Sequence, residues 1–188
     1  QAVEGDIRKL CAVGIDVLSE QGDLQDALLR KARRALRYVA EGSRSPMETM
    51  TYLLLCLPPL LGGYGLPKAT LNAQIPLNQE ARSIARQRHA WGDICWPDER
   101  LDIEYHGEVH VGSRKMKADV GRVLGIESMK WRVITITSPQ VFDVNRFETV
   151  AKEVASHLKW RLYPRVLDDT SRRFTLHEEL ESWMFLQE

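Results

Sequence analysis

Apolar positions in the first forty residues recur at helical spacing. Leu10, Val13, Val17 and Leu18 mark one face of a helix over residues 6–20, and after Gly22 the series Leu24, Leu28, Ala32, Ala35, Leu36 and Val39 marks a second. Together they predict a helical hairpin over residues 1–41. Gly42 to Ser45 then reads as a linker that ends in a helix cap. Ser45 stands at the cap, Pro46 at the first helical position and Glu48 three residues after the cap. The helix it starts runs through Met50, Leu53 and Leu54 until Pro58. Gly62, Gly63 and Gly65 turn the chain toward a strand near residues 71–77. From Ala90 the pattern shortens to strands at 91–96 and 101–106, joined by Pro97 to Arg100 as a hairpin. A helix over about 114–129 follows, with Met116, Val120, Val123 and Leu124 on its apolar face. Then come a strand at 131–137 and a helix at 145–158 whose Phe147, Val150, Val154 and Leu158 stay in register. Residues 42–163 thus form the core. Residues 164–188 form a tail with a short amphipathic helix at Leu180, Trp183 and Met184, to which the pattern assigns no partner.

Composition narrows the class. The 188 residues are 44% hydrophobic and 28% charged, which fits one globular domain with a small appendage and excludes a disordered or collagen-like chain. Lys plus Arg and Asp plus Glu number 26 each, so no global field draws the chain to an acidic partner and any such attraction is local. Arg30, Arg33, Arg34 and Arg37 share a helix face, which reads either as a solvated face or as a stripe that contacts phosphates. Cys11, Cys56 and Cys95 are too few and scattered for a zinc cluster or a disulfide framework, and an odd count points to the cytoplasm. The longest apolar run is broken by Pro58 and Pro59 and falls short of the ~20 residues of a membrane span, so no membrane partner is expected. Because the chain opens on Gln1, we expect it to be a piece of a longer one.

Chemistry enters with the hairpin. A four-residue connection puts Trp96 opposite Leu101, and stepping outward along both strands brings Asp93 opposite Glu104. Opposed residues have Cβ atoms about 5 Å apart, where two carboxylates either share a proton or take a divalent cation. Alternation of faces adds His106 to the side of Glu104.

Three stretches resemble the PD-(D/E)xK nuclease superfamily, and within it the very-short-patch mismatch repair group. They are Gly92-Asp93-Ile94-Cys95-Trp96-Pro97, then Leu101-Asp102-Ile103-Glu104-Tyr105-His106-Gly107-Glu108-Val109-His110, and then Asp119, Arg122, Leu124 and Trp131-Arg132-Val133-Ile134. The resemblance covers roughly residues 45–158. It implies a restriction-endonuclease-like core, a central mixed β-sheet flanked by helices, here preceded by the helical hairpin. It also implies a DNA endonuclease that uses Mg²⁺ or Mn²⁺ and no small-molecule cofactor. Asp93 and Glu104 match the metal-binding acids, Glu48 the assisting acid of the preceding helix, and His106 and His110 the residues that activate water. The superfamily usually has Lys where His106 stands; a His with a pKa near ~6.5 can act as a base instead. Lys115 or Lys117 on the next helix can supply the missing cation, with Lys117 the choice for catalysis. Arg30, Arg33, Arg34, Arg37, Arg44 and Arg122 are the candidate nucleic-acid contacts, with Arg86 and Arg88 as further ones.

Each piece has a plainer reading beside it. His106 and His110 suit strand-end hydrogen bonding, Asp119 and Arg122 an i, i+3 ion pair, and Trp91, Trp96 and Trp131 a core or half-buried strand position. The alternative to an enzyme is a catalytically inactive nuclease-fold module that binds nucleic acid or protein within a larger regulatory or toxin-antitoxin-type protein.

Overall fold

The computed structural model describes residue 30 and residues 33–107, 113–162 and 170–185, with backbone alone over 113–119 and at 185. The chain divides into two units, residues 1–42 and 43–188. In the first, Arg30 and residues 33–35 are helical and a 3-10 turn follows at Leu36–Tyr38. The rest of the expected hairpin lies outside the described residues.

The second unit is α/β, with a four-stranded mixed sheet flanked by helices. Helix α1 spans Pro46–Cys56 and opens as its sequence dictates. Ser45 Oγ accepts from Glu48 N–H at 3.1 Å, and Pro46 sits where a missing N–H costs nothing. Strand β1 is Thr70–Pro76, and a short helix α2, Gln79–Ala85, is capped by Asn78. Strands β2, His89–Trp96, and β3, Leu101–His106, form the expected hairpin around a 3-10 turn at Pro97–Glu99. Arg100 closes the turn at φ 52. Helix α3, Ser113–Ser128, crosses to β4, Arg132–Thr137; helices α4, Ser138–Phe142, α5, Val144–His157, and α6, Thr170–Phe185, follow. The sheet order is β1-β2-β3-β4, antiparallel across the first three strands and parallel between β3 and β4. A parallel neighbour needs a crossover, and α3 is that crossover.

One core layer joins Ile75, Leu77, Ala81, Ala90, Cys95, Ile126 and Val133 from the sheet, α2 and α3. Ile94, Ile103 and Ile134, one residue out of phase, form a register row on the other side. The apolar face read for α3 is only partly the buried one. Ile126 is buried and Val123 packs on the core, whereas Val120 and Leu124 are exposed. The reason is the small pair Gly121 and Gly125, which turns toward α2. A Cβ on Gly125 would lie 2.9 Å from Ala85 Cβ and 3.0 Å from Ala81 O. Close backbone approach, rather than bulk hydrophobicity, orients this helix.

The C-terminal segment also corrects expectation. Helix α6 is long and packs against α1, the 3-10 turn at Pro59–Leu61 and α5. It buries Leu176, His177 and Arg173, while Trp183 is exposed. Arg173 donates to Glu148 Oε2 at 3.2 Å and lies over the Tyr64 ring at 5.4 Å. Phe147 meets Tyr64 at 6.0 Å and stands edge-on to His177 at 5.7 Å.

Candidate active site

The printed register between β2 and β3 runs Trp96 with Leu101, Cys95 with Asp102 and Ile94 with Ile103. One step further would pair Asp93 with Glu104, and there the ladder stops. Instead of a backbone carbonyl, the Asp93 side chain meets β3, with Oδ2 accepting from Tyr105 N–H at 2.9 Å. On the other flank of β2, Asn72 lies across from Asp93, between the Leu71–Ile94 and Ala73–Gly92 pairs, and has φ 47. Asn is one of the few side chains that tolerate this left-handed conformation. Ala90 and Cys95 lie an odd number of residues apart yet share one core layer, so the alternation of faces slips between them. That slip lets Asp93 face the gap between the strands.

Four carboxylates gather around this irregularity: Glu48 from α1, Asp93 from β2, and Asp102 and Glu104 from β3. Asp102 is fully buried; its Oδ1 accepts from Cys95 Sγ at 3.2 Å and its Oδ2 is buried without a hydrogen-bond partner. Gly92 beside it can carry no side chain, since a Cβ there would collide with Asp102 Oδ1 and lie 2.5 Å from Cys95 Sγ. Glu104 is buried and gripped on both oxygens by Arg122 of α3: Nη1 donates to Oε1, and Nη2 to Oε2 at 2.9 Å. Arg122 Nη1 also donates to Trp91 O at 3.0 Å. Glu48, whose N–H is capped by Ser45, reaches back past the cap with its side chain. Its Oε2 accepts from Arg44 N–H at 2.9 Å and from Asn72 Nδ2 at 2.5 Å, and its Oε1 from Ser45 Oγ at 3.1 Å.

This crowding is visible in protonation. Burial, and then the charges of Glu104 and Glu48, push the Asp93 carboxyl up to about 6, against the pull of the Tyr105 N–H and Arg122. Burial and Glu104 push Asp102 up to about 9, so it holds its proton at neutrality. The Cys95 thiol is likewise raised by burial and by Asp102, which leaves it an inert donor.

Of the residues expected in the site, Asp93, Glu104 and Glu48 come together. His106 is half-buried at the end of β3, in register with Thr137. His110 and the side chains of Lys115, Lys117 and Asp119 lie outside the described residues. Arg122 turns to Glu104 and the Trp91 carbonyl. Arg44 is exposed, its guanidinium 4.8 Å from the centre of the half-exposed Trp91 ring. Arg30, Arg33 and Arg34 are exposed in the first unit, and Arg37 is exposed in the 3-10 turn. Arg86 and Arg88 are exposed between α2 and β2. Trp96 is buried and donates from Nε1 to Pro67 O at 2.9 Å, and Trp131 is half-buried on the core. Two members of the site escaped sequence reasoning. Asp102 was legible, two residues before Glu104 and opposite Cys95; Asn72 was not, because nothing in a strand pattern announces a positive φ.

The donor chemistry fits a divalent cation of the Mg²⁺ type, which takes hard carboxylate oxygens, and the buried Asp102 Oδ2 is left without a hydrogen-bond partner beside them. Among the described residues, no group of three or more His, Cys, Asp or Glu side chains is placed to hold a metal ion. No helix among them is long and apolar enough to cross a membrane. Comparison of the chain with protein-family models, curated proteins and solved structures yields no match.

Proposed function

We propose that this chain is a Mg²⁺- or Mn²⁺-dependent phosphodiesterase that cuts DNA. The observation that carries this reading is the gathering of Glu48, Asp93, Asp102 and Glu104 where β2 and β3 part, with Asp93 raised first by burial and then by Glu104 and Glu48. Buried like charges cost stability, and a fold that concentrates them without full compensation does so at sites of chemistry. The succession of α1, three antiparallel strands with α2 between the first two, the crossover helix α3 and a parallel fourth strand supports the superfamily resemblance.

Asp93 and Glu104 would hold the ion, and Glu48, fixed by Ser45 and Asn72, stands behind Asp93. The ion supplies a Lewis acid for the phosphate and an acidified water. His106, two residues beyond Glu104, is the proton acceptor for attacking water, and Lys117 of α3 the cation that meets charge on the phosphate. Arg44 with Trp91, and Arg86 and Arg88, provide backbone contacts beside these strands; Arg30, Arg33, Arg34 and Arg37 provide them in the first unit. Such contacts make DNA affinity fall with salt.

A second reading is favoured by the grip of Arg122 on Glu104: an inactive module, in which a guanidinium stands permanently where the nuclease has an ion. Incubation with supercoiled and mismatched DNA in Mg²⁺ or Mn²⁺ tests both. The first reading expects cutting that Asp93→Ala reduces about 100-fold or more. Equal cutting by the two proteins refutes it, and a gel shift at low salt with no cutting at all supports the module.

A further inference from the structure

Arg122 is the least expected feature of the site, because it occupies both oxygens of the residue that has to ligate metal. The Glu104 side chain is 3% exposed and the Arg122 side chain 18%. Glu104 is therefore almost wholly shielded from solvent, with the guanidinium bonded to both of its oxygens. The guanidinium also holds the carbonyl of Trp91, a residue that is 43% exposed and carries Arg44 over its ring. That contact ties Arg122 to the rim of the site as well as to its floor. A planar fork that fits a carboxylate with two parallel bonds fits a phosphodiester equally well.

Resting on the metal-centre reading, we propose that Arg122 and the divalent cation compete for Glu104, and that a DNA phosphodiester relieves the competition by drawing Arg122 to itself. Arg122 is then a positioning residue that keeps the metal site closed until substrate arrives. Before substrate, the ion must displace a two-pronged, charge-assisted contact inside a poorly solvated site. With substrate, the guanidinium exchanges one anion for another and Glu104 is left to the ion. Metal and DNA both favour the state in which Arg122 has let go of Glu104, so each strengthens binding of the other.

The test is Mn²⁺ titration, by calorimetry, of the full chain without DNA. Arg122→Gln is expected to bind Mn²⁺ about tenfold or more tightly than the unmodified protein, because a charged hydrogen-bonded competitor is gone. Adding Asp93→Asn to that variant is expected to abolish the gain, which locates the ion. Where Arg122→Gln fails to fold, Arg122→Lys carries the same test, since it retains the charge and loses the fork; the gain is then a few-fold. A second arm uses fluorescence anisotropy of a labelled DNA duplex in EDTA. Glu104→Gln is expected to tighten DNA binding, and Arg122→Gln in the same chain to cancel that gain. Equal or weaker Mn²⁺ binding by both Arg122 variants overturns the competition and leaves the metal centre standing. No Mn²⁺ binding by any of the proteins overturns both.

Discussion

The Asp102 carboxyl has one thiol donor, a second oxygen with no partner and an acidic neighbour two residues along the strand. An unfolded Asp loses its proton near ~3.9, whereas the folded one keeps it to about 9. The native state therefore binds more protons than the unfolded chain across that interval, and stability declines as pH rises through it. Asp102→Asn, which mimics the protonated acid, should raise Tm, by more at pH 9 than at pH 5; an unchanged difference between those pH values refutes the protonated state. His177 behaves in the opposite sense. Both ring nitrogens are buried without partners, and burial with the nearby Arg173 holds its pKa down to about 4, against ~6.5 unfolded. Its contribution is complete above the unfolded value and is lost as pH falls through about 4. His177→Phe should remove that part of the acid-side loss in thermal melts. Neither burial was legible from the sequence, where Asp102 stood only within a stretch quoted for the family resemblance and His177 within the C-terminal tail.

Local signals and packing divide differently among the elements. Helix α1 was legible to the residue because its start rests on neighbours: Ser45, Pro46 and Glu48 satisfy each other within one turn. Ser45→Ala should cost about 1 kcal/mol in chemical denaturation, and it should also loosen Glu48, whose Oε1 that hydroxyl engages. The hairpin register was legible for the same reason, since loop length sets pairing. Helix α3 was legible in extent and misread in orientation, because Val120 and Leu124 outweigh two glycines on any hydrophobicity count. The glycines make a discriminating prediction. Gly125→Ala drives a methyl into Ala85 and Ala81 of α2 and should destabilise by about 1–3 kcal/mol. Gly121→Ala places its methyl 3.4 Å from Ile84 O, an ordinary contact, and should be neutral or gain up to about 1 kcal/mol from helix propensity. Equal destabilisation in urea would refute this account of the α2–α3 contact. Helices α2 and α4 went unread, being too short for a periodicity to declare itself.

Across the second unit, stability depends on α6 more than its weak amphipathicity announces. The Arg173–Glu148 pair ties it to α5, with the guanidinium side chain 2% exposed. Arg173→Ala leaves Glu148 without that partner and opens space beside Tyr64, so a loss of about 3 kcal/mol is expected in denaturant unfolding. A loss under about 0.5 kcal/mol would mean that α6 is peripheral. Repeating secondary-structure periods, a capped helix start and a tight hairpin were all written in the order of residues, because each depends on groups near in the chain. That order also held the candidates Asp93, Glu104 and Glu48. Tertiary structure alone decided that Asp93 leaves the ladder to bond Tyr105, that Asn72 takes a positive φ beside it, that Asp102 is fully buried, and that Arg122 closes on Glu104. These are outcomes of burial and of charges brought together from separate elements, and desolvation energy has no counterpart in a linear pattern.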